Sequence, residues 1–486
     1  MLFNSYAFIF AFLPITFFVY FYFNRKHYTV AAKYWLLLTS LFFYGWWNIN
    51  YLPLILSSIV FNFGLSNAFK PSNSKEKNKL LLITGLLFNI GILGVFKYTD
   101  FFIQNMNSVF DTSIPFLHFA LPLGISFFSL QQITYIVDRY EGLAQEKEFI
   151  NYAIYVTFFP QLIAGPIVHH SEIMPQLKKI SAKVLNKKNI TIGLFLFSIG
   201  LFKKAVIADT CAIWVNAGFQ NAETLSFLEA WITSLSYSLQ LYFDFSGYTD
   251  MALGIGYMFN IKLPINFNSP YKARNIIDFW QRWHITLSRF ITTYLYTPMI
   301  RSLNKITFPK AMVATLLAML IAGLWHGAAW TFILFGFIHG IGLITNHIMR
   351  KKKLKKLPHL LACTLTFMYV NMSFTVFRST SLKQSAYIFK SMLGFNGLTL
   401  HPAFSKLQFL HLDWVTFNSD WLFKAGASKT TIIILVILLV TCFIGKNSTE
   451  MIKSVPKLST AIVASILFVV GLFYLSRVSE FLYFNF

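Results

Sequence analysis

The chain has 486 residues; 56% are hydrophobic, only 12% are charged, and 55 are phenylalanine. A soluble domain usually carries about 25% charged residues, so this composition excludes an ordinary soluble domain and places the chain among polytopic membrane proteins. The net charge of +23 does not indicate nucleic acid, because the basic residues sit in short segments between apolar runs ("NRKHY", "KPSNSKEKNK", "RKKKLKK") with no long basic helix or stacking platform.

Crossing a bilayer takes about 20 apolar residues. Runs of that order lie near 3–23, 31–47, 51–69, 79–96, 117–137, 190–208, 229–260, 311–347, 359–378, 430–444 and 459–476. They predict an all-α membrane body of roughly ten to twelve helices, shorter and re-entrant segments included. The opening "MLFNSYAFIF" lacks a basic n-region and a small-residue cleavage site, so it reads as a retained membrane segment. With the basic loops at 24–33, 70–79, 350–356 and 445–457 inside, both termini fall on the outer face, including the tail 477–486. Segment 379–429 is the longest late stretch without a span and suits an interfacial amphipathic helix. No internal repeat or soluble segment interrupts 1–486, so the chain reads as one membrane domain.

Two stretches resist a simple spanning helix. "YVTFFPQLIAGPIVHH" holds Gln161 among Pro160, Gly165 and Pro166, and "DFWQRWHITLSRF" mixes Asp278, Arg282, His284 and Arg289 into aromatic sequence. Broken backbone at membrane depth is tolerated only where protein or a watery cavity covers it, so these stretches predict a cavity with ionisable walls.

His326, in "GLWHGAAW", has two readings. A buried histidine can simply be satisfied by a neighbouring carbonyl or indole. The functional reading draws on Gly323, Gly327, Ala328 and Ala329, which remove bulk around an imidazole able to take a proton from a hydroxyl near neutral pH. His339, in the same run, has no such setting and reads as structure. For His284, an interfacial belt of Trp280, Trp283 and Tyr294 with snorkelling arginines stands beside a site role. Asp244 and Asp250 read as structural counter-charges to Arg282 or Arg289, since a lone carboxylate in the membrane is costly. The aromatic end "SEFLYFNF" reads as an anchor that also carries a phenol, Tyr483.

Competing chemistries find no support. The three cysteines (Cys211, Cys363, Cys442) lack metal-ligand spacing, and there is no P-loop, dinucleotide fingerprint, H-E-x-x-H or G-x-S-x-G pattern. A transporter or flippase is an alternative of another class, but transporters show repeats with matched broken helices.

Taken together, "YVTFFPQLIAGPIVHH", "QLYFDFSGYTDMALG", "DFWQRWHITLSRF" and "GLWHGAAWTFILFG" resemble the membrane-bound O-acyltransferase family. The resemblance is nearest to its bacterial branch, which O-acetylates alginate, peptidoglycan and similar exported glycans. It is densest over about 120–345 and implies a horseshoe of helices around a central tunnel in the bacterial cytoplasmic membrane. It implies His326 as the catalytic histidine and His284 as the second characteristic polar position. Gln161, Asp244, Asp250, Trp280, Arg282, Trp283 and Trp325 then support the cavity, with an indole of Trp325 or Trp283 available to a developing oxyanion. Acetyl-CoA is the implied donor, with no bound cofactor and no metal, and a periplasmic or extracellular SGNH-type protein is the implied partner. The D-alanylating relatives use a small partner peptide with a Tyr-containing aromatic end, which "FLYFNF" resembles, so Tyr483 becomes a candidate acyl shuttle. Transfer of D-alanine or another acyl group is the alternative within the family.

Overall fold

The computed structural model describes all residues except 180–182, 356, 406–413, 455–456, 477–481 and 483–486. The regular elements among the described residues are helices, apart from one parallel pair of short strands, β1 (Leu398–Leu400) and β2 (Val415–Phe417). The helices are α1 (Leu13–Arg25), α2 (Thr29–Gly45), α3 (Leu52–Ala68), α4 (Lys75–Leu93), α5 (Thr99–Phe110), α6 (Ile125–Tyr140), α7 (Phe149–Thr157), α8 (Phe159–Leu162), α9 (His170–Lys178), α10 (Lys187–Phe202) and α11 (Asp209–Gln220). They continue with α12 (Phe227–Met258), α13 (Ile276–Trp280), α14 (Ile285–Phe290), α15 (Thr297–Arg301), α16 (Phe308–His326), α17 (Trp330–Lys351), α18 (His359–Arg378), α19 (Leu382–Met392), α20 (Lys429–Ile444), α21 (Ser448–Met451) and α22 (Leu458–Tyr474). Widened π-helical turns interrupt the long runs at Phe8–Phe12, Gly94–Tyr98, Lys203–Ala208 and Ile291–Tyr296.

Seven helical runs among the described residues are long and apolar enough to cross a membrane, and α20 and α22 are shorter apolar helices. The protein is therefore a multi-pass membrane protein. Large apolar side chains such as Phe18, Leu38, Ile466 and Phe473 point outward, where lipid replaces a neighbouring helix. The run at 117–137 is helical only from Ile125, because the stretch before it is irregular up to the left-handed Gly124. The run at 311–347 is a hairpin of α16 and α17, broken where Gly327 and Ala329 are extended. The amphipathic segment expected in 379–429 is met by α19, which buries Ile388 and Met392 and exposes Leu382.

The centre is α12, 32 residues and about 48 Å long, started by a capping box of Ser226 and Glu229. It packs antiparallel on α10 with backbones nearly touching. A methyl group on Gly193 would meet the Gly254 carbonyl at 2.6 Å, and one on Gly247 would meet the Gly200 carbonyl at 2.8 Å. This small-residue seam, rather than side-chain interdigitation, is what lets the two helices approach. It also carries Lys203 and Lys204, which follow α10, onto the polar face of α12.

Candidate active site

Helix α16 ends at His326 because Gly327 turns extended (φ −168°, ψ 156°). Trp325 and His326 thus present their side chains at a backbone break, both under 9% exposed. The His326 ring lies 5.0 Å from the Trp325 ring and 5.2 Å from Phe377. Its Nδ1 and the indole Nε1 of Trp325 are buried with no hydrogen-bond partner among the described residues. Leaving a buried polar atom unsatisfied costs about 1–3 kcal/mol, and these two lie at a backbone break beside a cavity, which calls for an explanation. A polar ligand group at this point supplies one.

His284 is fully buried and takes a left-handed backbone (φ 43°) at the start of α14. Such strain in a non-glycine residue persists only where neighbours enforce it. The enforcing residue is Asn266. Its Oδ1 accepts from the Thr286 hydroxyl at 2.7 Å and the Thr286 N–H at 3.2 Å, and its carbonyl accepts from the Ile285 N–H at 3.0 Å. The same Oδ1 lies 3.3 Å from His284 Nδ1. An amide oxygen can only accept, so Nδ1 carries the ring proton and Nε2 is left as the basic nitrogen. Thr286 also accepts from the Ile167 N–H at 3.0 Å, tying the "AGPIV" kink to this turn. Trp325 joins the two histidines, 6.3 Å from the His284 ring as well as 5.0 Å from that of His326.

His339 is equally buried but fully occupied. Its Nδ1 accepts from the Trp280 indole at 3.2 Å, and its Nε2 donates to the Ser373 hydroxyl at 2.8 Å. That hydroxyl passes its own proton on to the Val370 carbonyl at 2.7 Å.

The acids depart from the pairing expected of them. Asp244 pairs with Lys204 at 2.6 Å and Asp250 with Lys203 at 2.6 Å; Arg282 and Arg289 instead meet Asp278 at 2.7 Å and Glu172 at 2.7 Å. The reason is the glycine seam, which presses Lys203 and Lys204 against α12. Lys204 also reaches Asp209 at 2.8 Å, and Ser448 donates to Asp250 at 2.7 Å. Trp280 and Trp283 are not a headgroup belt: both are buried among aromatic rings, Trp283 stacking on Phe279 at 5.6 Å. Gln161 is buried and donates to the Tyr155 carbonyl at 2.6 Å, which secures the kink after α7 without touching either histidine. Tyr483 lies outside the described residues; the preceding residue, Leu482, is buried and donates its N–H to Asp244 at 3.3 Å.

Two cavities approach the histidines. One of about 320 Å³ is lined by Lys97, Asp100, Phe119, Gly327, Ala328 and Phe332 and ends on the backbone following His326. The other, about 230 Å³, is lined by His169, Glu172, Thr286, Arg289 and Tyr294 and ends on Thr286, which shares Asn266 with His284. Beside the second cavity, Asp138, His169 and His170 hold their donor atoms within 4.8 Å of one another, the ligand types of a metal site. These groups are already engaged: Tyr294 donates to both Asp138 oxygens at 3.0 Å, His170 Nε2 lies 2.9 Å from Oδ2, and the Ser171 N–H donates to His169 Nδ1 at 3.3 Å. Together they form a hydrogen-bonded knot beside the cavity. "VHHSE" and "VDRY" supply its residues in the sequence, but nothing there says that they meet.

A profile of the membrane-bound O-acyltransferase family matches residues 115–380, more than half of the chain and the part that holds both histidines. The chain belongs to the membrane-bound O-acyltransferase family. Among its relatives, a peptidoglycan O-acetyltransferase of Helicobacter pylori is 44% identical, over 100% of this chain and 98% of its own length. A probable alginate O-acetylase of Azotobacter vinelandii is 34% identical over 82% of this chain and 79% of its own. A teichoic acid D-alanyltransferase of Bacillus subtilis is 29% identical over 52% of this chain and 68% of its own. This protein is accordingly a multi-pass membrane O-acyltransferase.

Proposed function

We propose that this O-acyltransferase carries an acetyl group from acetyl-CoA on the cytoplasmic side to the hydroxyl of an exported polysaccharide or cell-wall glycan, in the bacterial inner membrane. Support for the acetyl group comes from the relatives named for peptidoglycan and alginate acetylation, whose similarity spans most or all of the chain, whereas the D-alanyltransferase similarity covers about half. Support for the sidedness comes from the basic segments at 24–33, 70–79, 350–356 and 445–457, which, taken as cytoplasmic, leave both termini outside.

The observation that carries the chemistry is the adjacent pair of partnerless buried groups, His326 Nδ1 and Trp325 Nε1–H. An imidazole with a bare nitrogen is a general base for an acceptor hydroxyl. As His326 takes that proton, the hydroxyl oxygen attacks the thioester carbonyl, and the Trp325 indole N–H is a donor for the oxyanion that develops. Collapse of the intermediate breaks the C–S bond, and the leaving thiolate recovers the proton from the His326 imidazolium, so free CoA thiol and an acetyl ester result. His284, with Nε2 as its basic nitrogen, orients or binds on the far side of Trp325. Asp244, Asp250, Arg282, Trp280, Trp283 and Gln161 line neither cavity and serve the fold around them through the contacts described above.

In this reading the first acceptor is the Tyr483 phenol, whose free pKa of about 10 makes a base useful, and an SGNH-type protein outside completes delivery. The burial of Leu482, next to Tyr483 in sequence, and its N–H bond to Asp244 support this role. The test uses radiolabelled acetyl-CoA with purified full-length protein. His326→Ala, inserted at normal level, is expected to abolish transfer; unchanged transfer removes His326 from the chemistry. Label retained on the wild-type chain and lost in Tyr483→Phe supports the shuttle, and full transfer by Tyr483→Phe rules it out.

A further inference from the structure

We infer that Lys97 and Tyr98 are positioning residues that clamp the end of α16 and thereby aim Trp325 and His326. The inference rests on the reading of His326 as the base. An α-helix leaves its last four carbonyls without intrahelical partners. Helices often settle some of them with a left-handed glycine just past the end. Gly327 is extended, so α16 does not end that way. Its carbonyls are met instead by side chains from a distant part of the chain. The Tyr98 hydroxyl donates to the Leu324 carbonyl at 2.8 Å, and the Lys97 ammonium donates to the carbonyls of Trp325 and His326, the latter at 3.0 Å.

The two donors are neighbours in sequence and lie at the end of the π-helical turn Gly94–Tyr98. A widened turn of this kind commonly marks a functional site. Lys97 also reaches the Ser126 hydroxyl at 3.3 Å, so the clamp joins three parts of the fold: the α4–α5 turn, α6 and α16. Among the described residues Lys97 makes no ion pair, and the nearby Asp100 is taken up by the N–H groups of Leu117 and His118 at 2.9 and 3.0 Å. The ammonium is therefore balanced by carbonyl dipoles, at the negative end of the helix. It stands 5.7 Å from the Trp325 ring centre and forms part of the wall of the larger cavity. Three consecutive carbonyls held in this way fix the peptide planes of the two residues whose side chains lack partners. Without the clamp, the last turn of α16 would be free to fray next to an open cavity.

The experiment measures acetyl transfer by Lys97→Met, Lys97→Arg, Tyr98→Phe and His326→Ala, each as purified full-length protein with insertion checked by size-exclusion chromatography. Misplacing a reacting group by about 1 Å costs on the order of 100-fold. Lys97→Met is expected to lose kcat on that scale with KM for acetyl-CoA little changed, and Lys97→Arg to recover a large part of it. Where Lys97→Met fails to insert, Tyr98→Phe decides, with an expected kcat loss of about 3- to 10-fold at unchanged KM. Wild-type kcat in Lys97→Met or, in its place, in Tyr98→Phe overturns the clamp, as does a rise in KM alone. If His326→Ala is inactive while these variants are normal, the reading of His326 stands and only the clamp falls. If His326→Ala is itself active, the reading of His326 fails first and takes the clamp with it.

Discussion

The surroundings of His326 and His339 make a controlled comparison. Both histidines are buried, both lie in one apolar run, and their helices, α16 and α17, pack closely at Gly323 and Gly336. His339 has a partner on each ring nitrogen, Trp280 and Ser373. His326 has a bare Nδ1 beside a bare indole N–H, at a backbone break that opens on a cavity of about 320 Å³. Depth and residue type are shared, so neither separates structure from chemistry. What separates them is whether the protein itself satisfies the polar atoms.

The largest effect expected from testing this contrast belongs to Trp325→Phe, which keeps an aromatic ring and deletes the N–H. Loss of one oxyanion donor costs on the order of 100-fold in kcat, and steady-state kinetics should show that loss with little change in KM. Wild-type kcat in this variant would move the oxyanion role to another donor. A smaller effect, of another kind, is expected of His339→Gln. Acetyl transfer should stay within about threefold of wild type while thermal unfolding in detergent reports a destabilisation of about 1–3 kcal/mol, from buried partners left unsatisfied. A loss of activity as deep as that of His326→Ala would break the comparison.

The mildest test is low pH, which acts on a different part of the molecule. Burial by itself raises the Glu172 carboxyl, but Arg289 and the His169 N–H outweigh it and hold the group below the usual range. Glu146 follows the same pattern, with Lys178 as its main counter-charge. A carboxylate depressed in the folded chain contributes stability that is present above its unfolded value of about 4.3, and that stability is lost as pH falls through the folded pKa. Helix α9, which carries Glu172 and Lys178, should therefore loosen only below about pH 4. Hydrogen exchange should rise there across residues 170–178 while α16 and α17 stay protected, because neither His326 nor His339 hydrogen-bonds a carboxylate among the described residues.

Much of the site is legible in the residues themselves. Pro160, Gly165 and Pro166 foretell the break after α7, since proline and glycine interrupt a helix wherever they fall. Asp278, Arg282 and His284 in aromatic sequence foretell the irregular stretch from α13 to α15. Asn266, by contrast, sits in "LPINFNSP", an ordinary loop, and matters only because its amide reaches the turn that holds His284. Lys97 and Tyr98 follow the apolar run at 79–96, and nothing in the sequence sets α16 against them. Charge balance alone points Asp244 and Asp250 to the arginines Arg282 and Arg289, because no local pattern shows that the glycines of α10 and α12 bring Lys203 and Lys204 closer.

The sequence by itself determined the environment: low charge and long apolar runs can be solvated only by lipid, and helices are the way such a chain meets its backbone hydrogen bonds there. It also determined where the chain must break and which residues are candidates for acyl chemistry. Tertiary structure alone decided which polar group meets which. In hydrocarbon an unpartnered polar atom stays costly and no water is present to relieve it, so the role of each depends on the neighbour that packing delivers. Packing delivered Trp280 and Ser373 to His339, and left His326 Nδ1 open.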